Sequence, residues 1–247
     1  MPQNWINMVN TQEYIIPLRQ LKLKIGSKNL YNCTNYMQYS CFIQSKKLLP
    51  IGFEKWCLEY NFNDVELKNI FLMGKTASVN VFNQCFQYKI LTQILPTQEY
   101  LLRYKVDGVV DNVCKMCKLE RCTIEHSIFE CIFLQPFLVL IQKFIEGELK
   151  YKITFCRKTF LFGILGNLHK YSGLNHFLVE SKKFIFYDLR NSETFNAELK
   201  FEQFKSKIKY IIIKEKAIAL KSGKYDSFCG KWYDFAPIYN FYGPDPE

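Results

Sequence analysis

The feature that most constrains this chain is a cluster of soft metal-ligand side chains, Cys114-x2-Cys117-x8-His126-x4-Cys131. Two cysteines three residues apart can aim both sulfurs at one ion from a tight turn. The eight-residue loop lets the chain return, and His126 and Cys131 come from the start of the following helix. Four nitrogen and sulfur donors in one short segment suit tetrahedral Zn²⁺. Three thiolates and one neutral imidazole fill all four positions, so a single structural ion is expected. Segment 105–131 has few apolar residues for its length, and structural zinc contributes on the order of 10 kcal/mol to such a segment. The competing reading is four unrelated residues in a chain with 10 Cys. A Cys-x-x-Cys pair arises easily by chance, a His and a third Cys at knuckle distance much less so. Cys122 lies in the loop; it either replaces one ligand, sits free or packs nearby.

Charge narrows the partner. Thirty-three Lys and Arg face 23 Asp and Glu, a net charge of +10. A polyanion, RNA or DNA, is the first partner such a balance implies, with plain solvation as the alternative. Lys115, Lys118 and Arg121 lie on the loop between the ligands, where a metal-stiffened turn can offer them to phosphates while nearby aromatic or Met side chains stack on unpaired bases. A second basic element is the segment 198–231, with nine Lys against four acids. Lys207, Lys214 and Lys221 recur every seven residues and share a helix face. They track phosphates or simply solvate that face.

Ten Cys would mean disulfides in a secreted chain. Met1 to Arg19 contains Asn, Gln and Glu and no continuous apolar core, so no secretory leader is expected. Ile132 to Ile145, the longest apolar stretch, is interrupted by Gln135, Pro136 and Gln142 and is too short to span a bilayer. An intracellular location, nucleus or cytoplasm, is expected, with no membrane and no small-molecule substrate.

The patterning reads as mostly α: an irregular helical bundle with a small CCHC zinc knuckle between helices. Three regions are expected: a weakly patterned flank over 1–75, the knuckle module over 76–150 and a basic helical region over 151–247. Asn63-Asp64 can cap a short helix, Val65 to Met73. Ser78 can cap a helix carrying Phe82, Cys85, Phe86, Ile90 and Ile94 that stops at Pro96. Thr97 can cap Gln98 to Tyr104, and Val106 to Asn112 reads as a loop. Thr123 precedes a helix from about Ile124 to about Glu146, kinked by Pro136. Phe155 to Leu165 is ambiguous. Two long helices, about 174–190 and 195–221, follow. The second has Phe201, Phe204, Ile208, Ile211, Ile212 and Ile218 on one side and Gly223 as its stop. Trp232 to Glu247 reads as irregular.

Catalytic signatures are missing, and no enzyme activity is expected of this chain alone. The seven Asp residues include no adjacent pair to hold two Mg²⁺ ions. Gly74-Lys75-Thr76 ends like a phosphate-binding loop, but Asn69 stands where its first Gly belongs. The zinc deaminase order, His-x-Glu before Pro-Cys-x-x-Cys, is not met, since Val113 precedes the Cys pair. His169 and His176, with no carboxylate pair near them in sequence, read as surface or core histidines.

The run Phe86-Gln-Tyr-Lys-Ile-Leu-Thr-Gln-Ile-Leu-Pro-Thr-Gln-Glu-Tyr-Leu101, then Cys-x-x-Cys, then Thr123-Ile-Glu-His126 and Cys131, resembles the reverse transcriptase zinc-binding domain. That module lies C-terminal to the polymerase in LINE-type non-LTR retrotransposon polyproteins. Ile51-Gly-Phe-Glu-Lys-Trp56 and the segment ending Ile218-Ala-Leu220 also look like flanking segments of these elements. The resemblance covers about 30–235 and is most specific over 82–137. It implies a module that accompanies a reverse transcriptase and helps bind element RNA or target DNA. Polymerase and endonuclease motifs are missing, and the one Pro-Asp, Pro244-Asp245, leaves no room for a following nuclease in this sequence. A truncated reading frame, a decayed remnant without function and a host-recruited fragment all fit that departure. The alternative of another class is an interaction scaffold whose helices dock on a polymerase.

Overall fold

A computed structural model describes residues 50–189 and 195–240, together with a two-residue antiparallel ladder, β1 (Lys24–Ile25) with β2 (Lys28–Asn29). The chain divides into two compact units, Met1–Leu49 and Pro50–Glu247. The second is mostly α, as the patterning implies. Its helices are α1 (Ile51–Tyr60), α2 (Asp64–Ala77), α3 (Val81–Leu91), α4 (Gln98–Arg103), α5 (Gln135–Lys143), α6 (Arg157–Phe162), α7 (Ser172–Phe184), α8 (Ala197–Lys221), α9 (Tyr225–Trp232) and α10 (Ala236–Tyr239). One hydrophobic cluster runs from Phe53 to Ala236, so residues on either side of positions 75 and 150 share a core.

Local chemistry explains the starts. Asn63 caps α2 through a capping box in which its side chain accepts from the Glu66 amide and Glu66 reaches back to the Asn63 amide. Thr97 caps α4 by accepting from the Tyr100 amide. The cap of α3 is Asn80, not Ser78; the Ser78 hydroxyl instead accepts from the Asn80 amide and the Asn83 side chain. Gly223, at φ +66°, ends α8 where a left-handed residue is required.

Three further expectations are corrected, and one open segment is resolved. The helix after Thr123 does not kink at Pro136. It breaks at Cys131, whose ψ of 126° leaves the helical region, and Pro136 sits in the first turn of α5, where its missing N–H costs nothing. The ambiguous Phe155 to Leu165 contains α6, which buries Phe160, Leu161 and Phe162. Trp232 onward stays helical through α10, because Trp232, Phe235 and Ala236 all have core to cover; Phe241 to Glu247 lies outside the described residues. On α8, Phe201, Phe204, Ile208 and Ile212 are buried but Ile218 is exposed.

The centre of the bundle is α7, packed by α2, α3, α8 and α9. Every residue from Ser172 to Phe184 except Lys183 is buried. A helix covered all round is ordinarily apolar all round; this one carries Asn175, His176, Glu180, Ser181 and Lys182, each of which needs an internal partner. Asn175 accepts from the Ile164 amide at 2.8 Å and donates to the Ile164 carbonyl at 3.1 Å. Lys182 donates to Gln87 Oε1 at 2.6 Å and the Leu161 carbonyl at 2.7 Å. Phe177 supplies the apolar anchor, with Phe204 and Phe144 rings at 5.2 and 5.3 Å.

Helices α7 and α9 approach so closely that a Cβ at Gly173 would lie 2.2 Å from the Lys231 carbonyl oxygen. Backbone cannot yield as a side-chain tip can. Gly173→Ala should therefore destabilise the fold by about 1–3 kcal/mol, read as a lower midpoint in urea unfolding with the slope unchanged. An unaltered midpoint would show that the two helices separate freely.

Candidate metal centre

The knuckle is built by two short turns facing each other. Val113 and Arg121 form an antiparallel bridge, and the Cys114 amide donates to the Glu120 carbonyl at 2.8 Å. Within it the Lys118 amide donates back to the Cys114 carbonyl at 2.8 Å, with Lys118 itself left-handed at φ +57°. This tight loop turns both sulfurs of Cys114 and Cys117 inward.

The other two donors come from the next element. The Thr123 hydroxyl accepts from the His126 amide at 3.0 Å and starts the turn. His126–Glu130 is then a π-helical turn, closed by the Cys131 amide donating to the His126 carbonyl at 3.1 Å. In an α-helix residues five apart point roughly 140° away from each other. The wider turn narrows that angle and puts the imidazole and the Cys131 thiol on one side. Such turns recur at functional positions.

The four donor atoms lie within 4.8 Å of one another, and all four residues are buried. Cys114 and Cys131 sulfurs are 4.0 Å apart, and the Cys117 sulfur is 3.3 Å from His126 Nε2. Donors around a tetrahedral ion bound at 2.0–2.3 Å stand roughly 3.3–3.8 Å apart, so a small inward shift closes the set. The imidazole is already oriented: its Nδ1 meets Glu120 Oε2 at 3.1 Å, which leaves the Nε2 lone pair facing the sulfurs. Burial works to raise the Cys117 thiol, yet the Leu119 and Glu120 amides hold it below its ordinary value. The Cys114 thiol, foremost, lowers that of Cys131 against burial. This cluster could hold a metal ion.

Cys122 is buried but is not one of the four. Its sulfur meets the Ser127 hydroxyl at 3.2 Å, and it also contacts the Cys114 thiol from outside the set.

The cationic residues do not behave alike. Lys115 and Lys118 are exposed on the knuckle. Arg121 is exposed too, but its guanidinium pairs with Glu99 at 3.3 Å, and Glu99 also takes Arg103 at 3.4 Å. On α8, Lys214 and Lys221 are exposed, whereas Lys207 is half-buried, 3.5 Å from Asp188 and 4.0 Å from Glu180.

Sequence spacing misses a second polar cluster. His169 is exposed, but His176 is fully buried with two carboxylates close in space, Glu215 at 3.5 Å and Glu180 at 3.8 Å. Lys231 donates to His176 Nδ1 at 2.8 Å and to Glu215 at 2.9 Å, while Asn83 donates to Glu180 at 2.7 Å. The one sequence signal is His176 and Glu180 at i,i+4; the rest arrives from α3, α8 and α9.

No family model matches the sequence, and no curated protein matches it. No helix among the described residues is long and apolar enough to cross a membrane.

Proposed function

We propose that this chain is a nucleic-acid-binding module built around one structural Zn²⁺, non-catalytic by itself, which binds RNA or DNA and accompanies a reverse transcriptase. The observation that carries it is a buried, closed four-donor cluster under a turn that presents Lys115 and Lys118 to solvent, in a chain of net charge +10. The donor set, three sulfurs and one nitrogen, is that of structural zinc, and it leaves no open position for substrate. Zn²⁺ here fixes the loop; Glu120 orients the imidazole, and the lysines meet phosphate.

The resembling run supports the scaffold rather than the contact. Phe86, Ile90, Leu91 and Leu95 are buried, and Thr97 is a cap. Those residues belong to the helical core, and recognition is left to the exposed loop.

The test is a mobility-shift assay with RNA, single-stranded DNA and duplex, with and without chelator. Replacing Lys115, Lys118 and Arg121 together with Ala should weaken single-strand binding and reduce the salt slope by roughly one to three. The smaller end is expected, because Glu99 already opposes Arg121. Metal content should not change. Duplex binding should respond more to Lys214 and Lys221. The pairing of Arg121 and Lys207 with acids favours the second reading, a scaffold docking on a polymerase; salt-independent binding and no effect of either set would select it.

A further inference from the structure

On the C-terminal side of the unit, three segments enclose a cleft of about 760 Å³: Glu148 to Lys152 after α5, Lys170 and Tyr171 before α7, and Tyr233 to Asn240. Its walls carry Lys150, Lys152 and Lys170 together with Tyr151, Tyr171 and Tyr233. We propose that this cleft is a second nucleic-acid site, one that takes an unpaired nucleotide segment with the base against the tyrosines and the flanking phosphates on the three lysines. It rests on the reading that the partner is a nucleic acid, but on none of the knuckle residues.

The chemistry of the walls selects that ligand. The three lysines are exposed, and among the described residues none of them makes an ion pair, unlike Arg121 and Lys207. Two acids, Glu148 and Asp234, share the rim with the three lysines, and Asp234 accepts from the Tyr151 hydroxyl. The Tyr151 and Tyr171 rings stand 5.8 Å apart at 51°, fixed by the core behind them. The Lys170 ammonium lies over the Tyr171 ring, 5.4 Å from its centroid. Tyr233, on the same wall, is 68% exposed. Lys150 occupies a left-handed turn at φ +57°, closed by the Tyr151 amide donating to the Ile145 carbonyl at 3.0 Å, where glycine would be the unstrained residue. Alternating cations and aromatic faces are what bind unpaired bases without reading them. The cleft has the size of a small-ligand site, roughly 300–1,000 Å³, which admits a nucleotide unit and excludes a duplex.

The experiment uses the full chain and fluorescein-labelled ten-nucleotide uridylate and adenylate, followed by anisotropy across a salt series. Lys150→Ala, Lys152→Ala and Lys170→Ala together should weaken binding at least tenfold and lower the salt slope by roughly two. Tyr233→Ala should weaken it roughly tenfold with the salt slope unchanged, since stacking releases no counterions. Photo-crosslinking with 4-thiouridine in the uridylate should label a peptide within 225–240 of the wild-type chain. Circular dichroism and metal content check that each variant is folded, and the crosslink stands even if the triple variant is not. If both variants bind like wild type while the knuckle triple variant loses affinity, the cleft is refuted and the knuckle reading stands. If the lysines matter but Tyr233 does not and no crosslink forms, the cleft is a charged surface only and the base site is refuted. If the wild-type chain binds no oligonucleotide, the underlying reading fails, and the cleft with it.

Discussion

Chelation, or Cys114→Ser, should release one Zn²⁺ per chain and open the segment 105–135 to protease while the helices from α5 onward stay folded. The reason lies in what holds the knuckle. Val110 and Leu119 are exposed, and the buried residues of the loop, Cys114, Cys117, Cys122 and Ile124, are mostly thiols. Apolar burial within the loop is therefore slight, and a structural Zn²⁺, worth on the order of 10 kcal/mol, would be its main stabiliser. Metal content by mass spectrometry and limited proteolysis read the two halves of the expectation. Cys122→Ser should retain the ion, and Glu120→Gln should weaken its affinity roughly 10- to 100-fold by loosening the imidazole. Retention of metal by Cys131→Ser, with loss in Cys122→Ser, would reassign the fourth ligand.

The largest expected effect outside the knuckle belongs to Glu180. Its carboxyl is buried, which by itself would raise its pKa; His176, Lys183 and Asn83 overcome that and hold it at about 2, below an ordinary value of 4.5. A group lowered on folding contributes stability in full above its unfolded pKa and loses it as pH falls toward the folded one. Between about pH 4.5 and 2 the fold should therefore lose about 3 kcal/mol from this residue. His176 acts in the same direction at higher pH. Burial above all, with Lys231 adding to it against Glu180 and Glu215, holds the imidazole below its ordinary 6.5. The unfolded chain thus takes up a proton near pH 6.5 that the folded chain refuses, and stability starts to fall there. Glu180→Ala should cost about 3–5 kcal/mol at pH 7 because it strands its buried partners. It should also flatten the acid limb of stability against pH in urea titrations. An acid limb identical to wild type would place the pH dependence elsewhere.

What the sequence reveals of this fold divides along a physical line. Local signals are legible: the Asn63 and Thr97 caps, the Gly223 stop and the Cys114, Cys117, His126 and Cys131 group that could hold a metal. The cap of α3 lies two positions beyond the expected one because Ser78 and Asn80 are both good caps and the choice depends on Asn83. Signals that depend on packing are not legible. Pro136 resembles a kink until the neighbouring break at Cys131 makes it a helix start. Trp232 to Tyr239 lacks a clean period, and is helical because α7 offers Trp232 and Phe235 a surface. The His176–Glu215–Lys231 contacts join residues up to 55 apart, beyond any spacing rule.

The break at Cys131 has a mechanical meaning. The π turn on one side and α5 on the other are joined by Cys131 and one 3-10 turn, Ile132–Leu134. A change in the winding of His126–Glu130 need not turn α5 about its axis, because the helix is interrupted at Cys131. On the proposed reading, loss of the ion should open the knuckle while the helices from α5 onward stay folded. On that reading the metal makes and unmakes the presented loop, and the helical body is the template on which the loop is rebuilt.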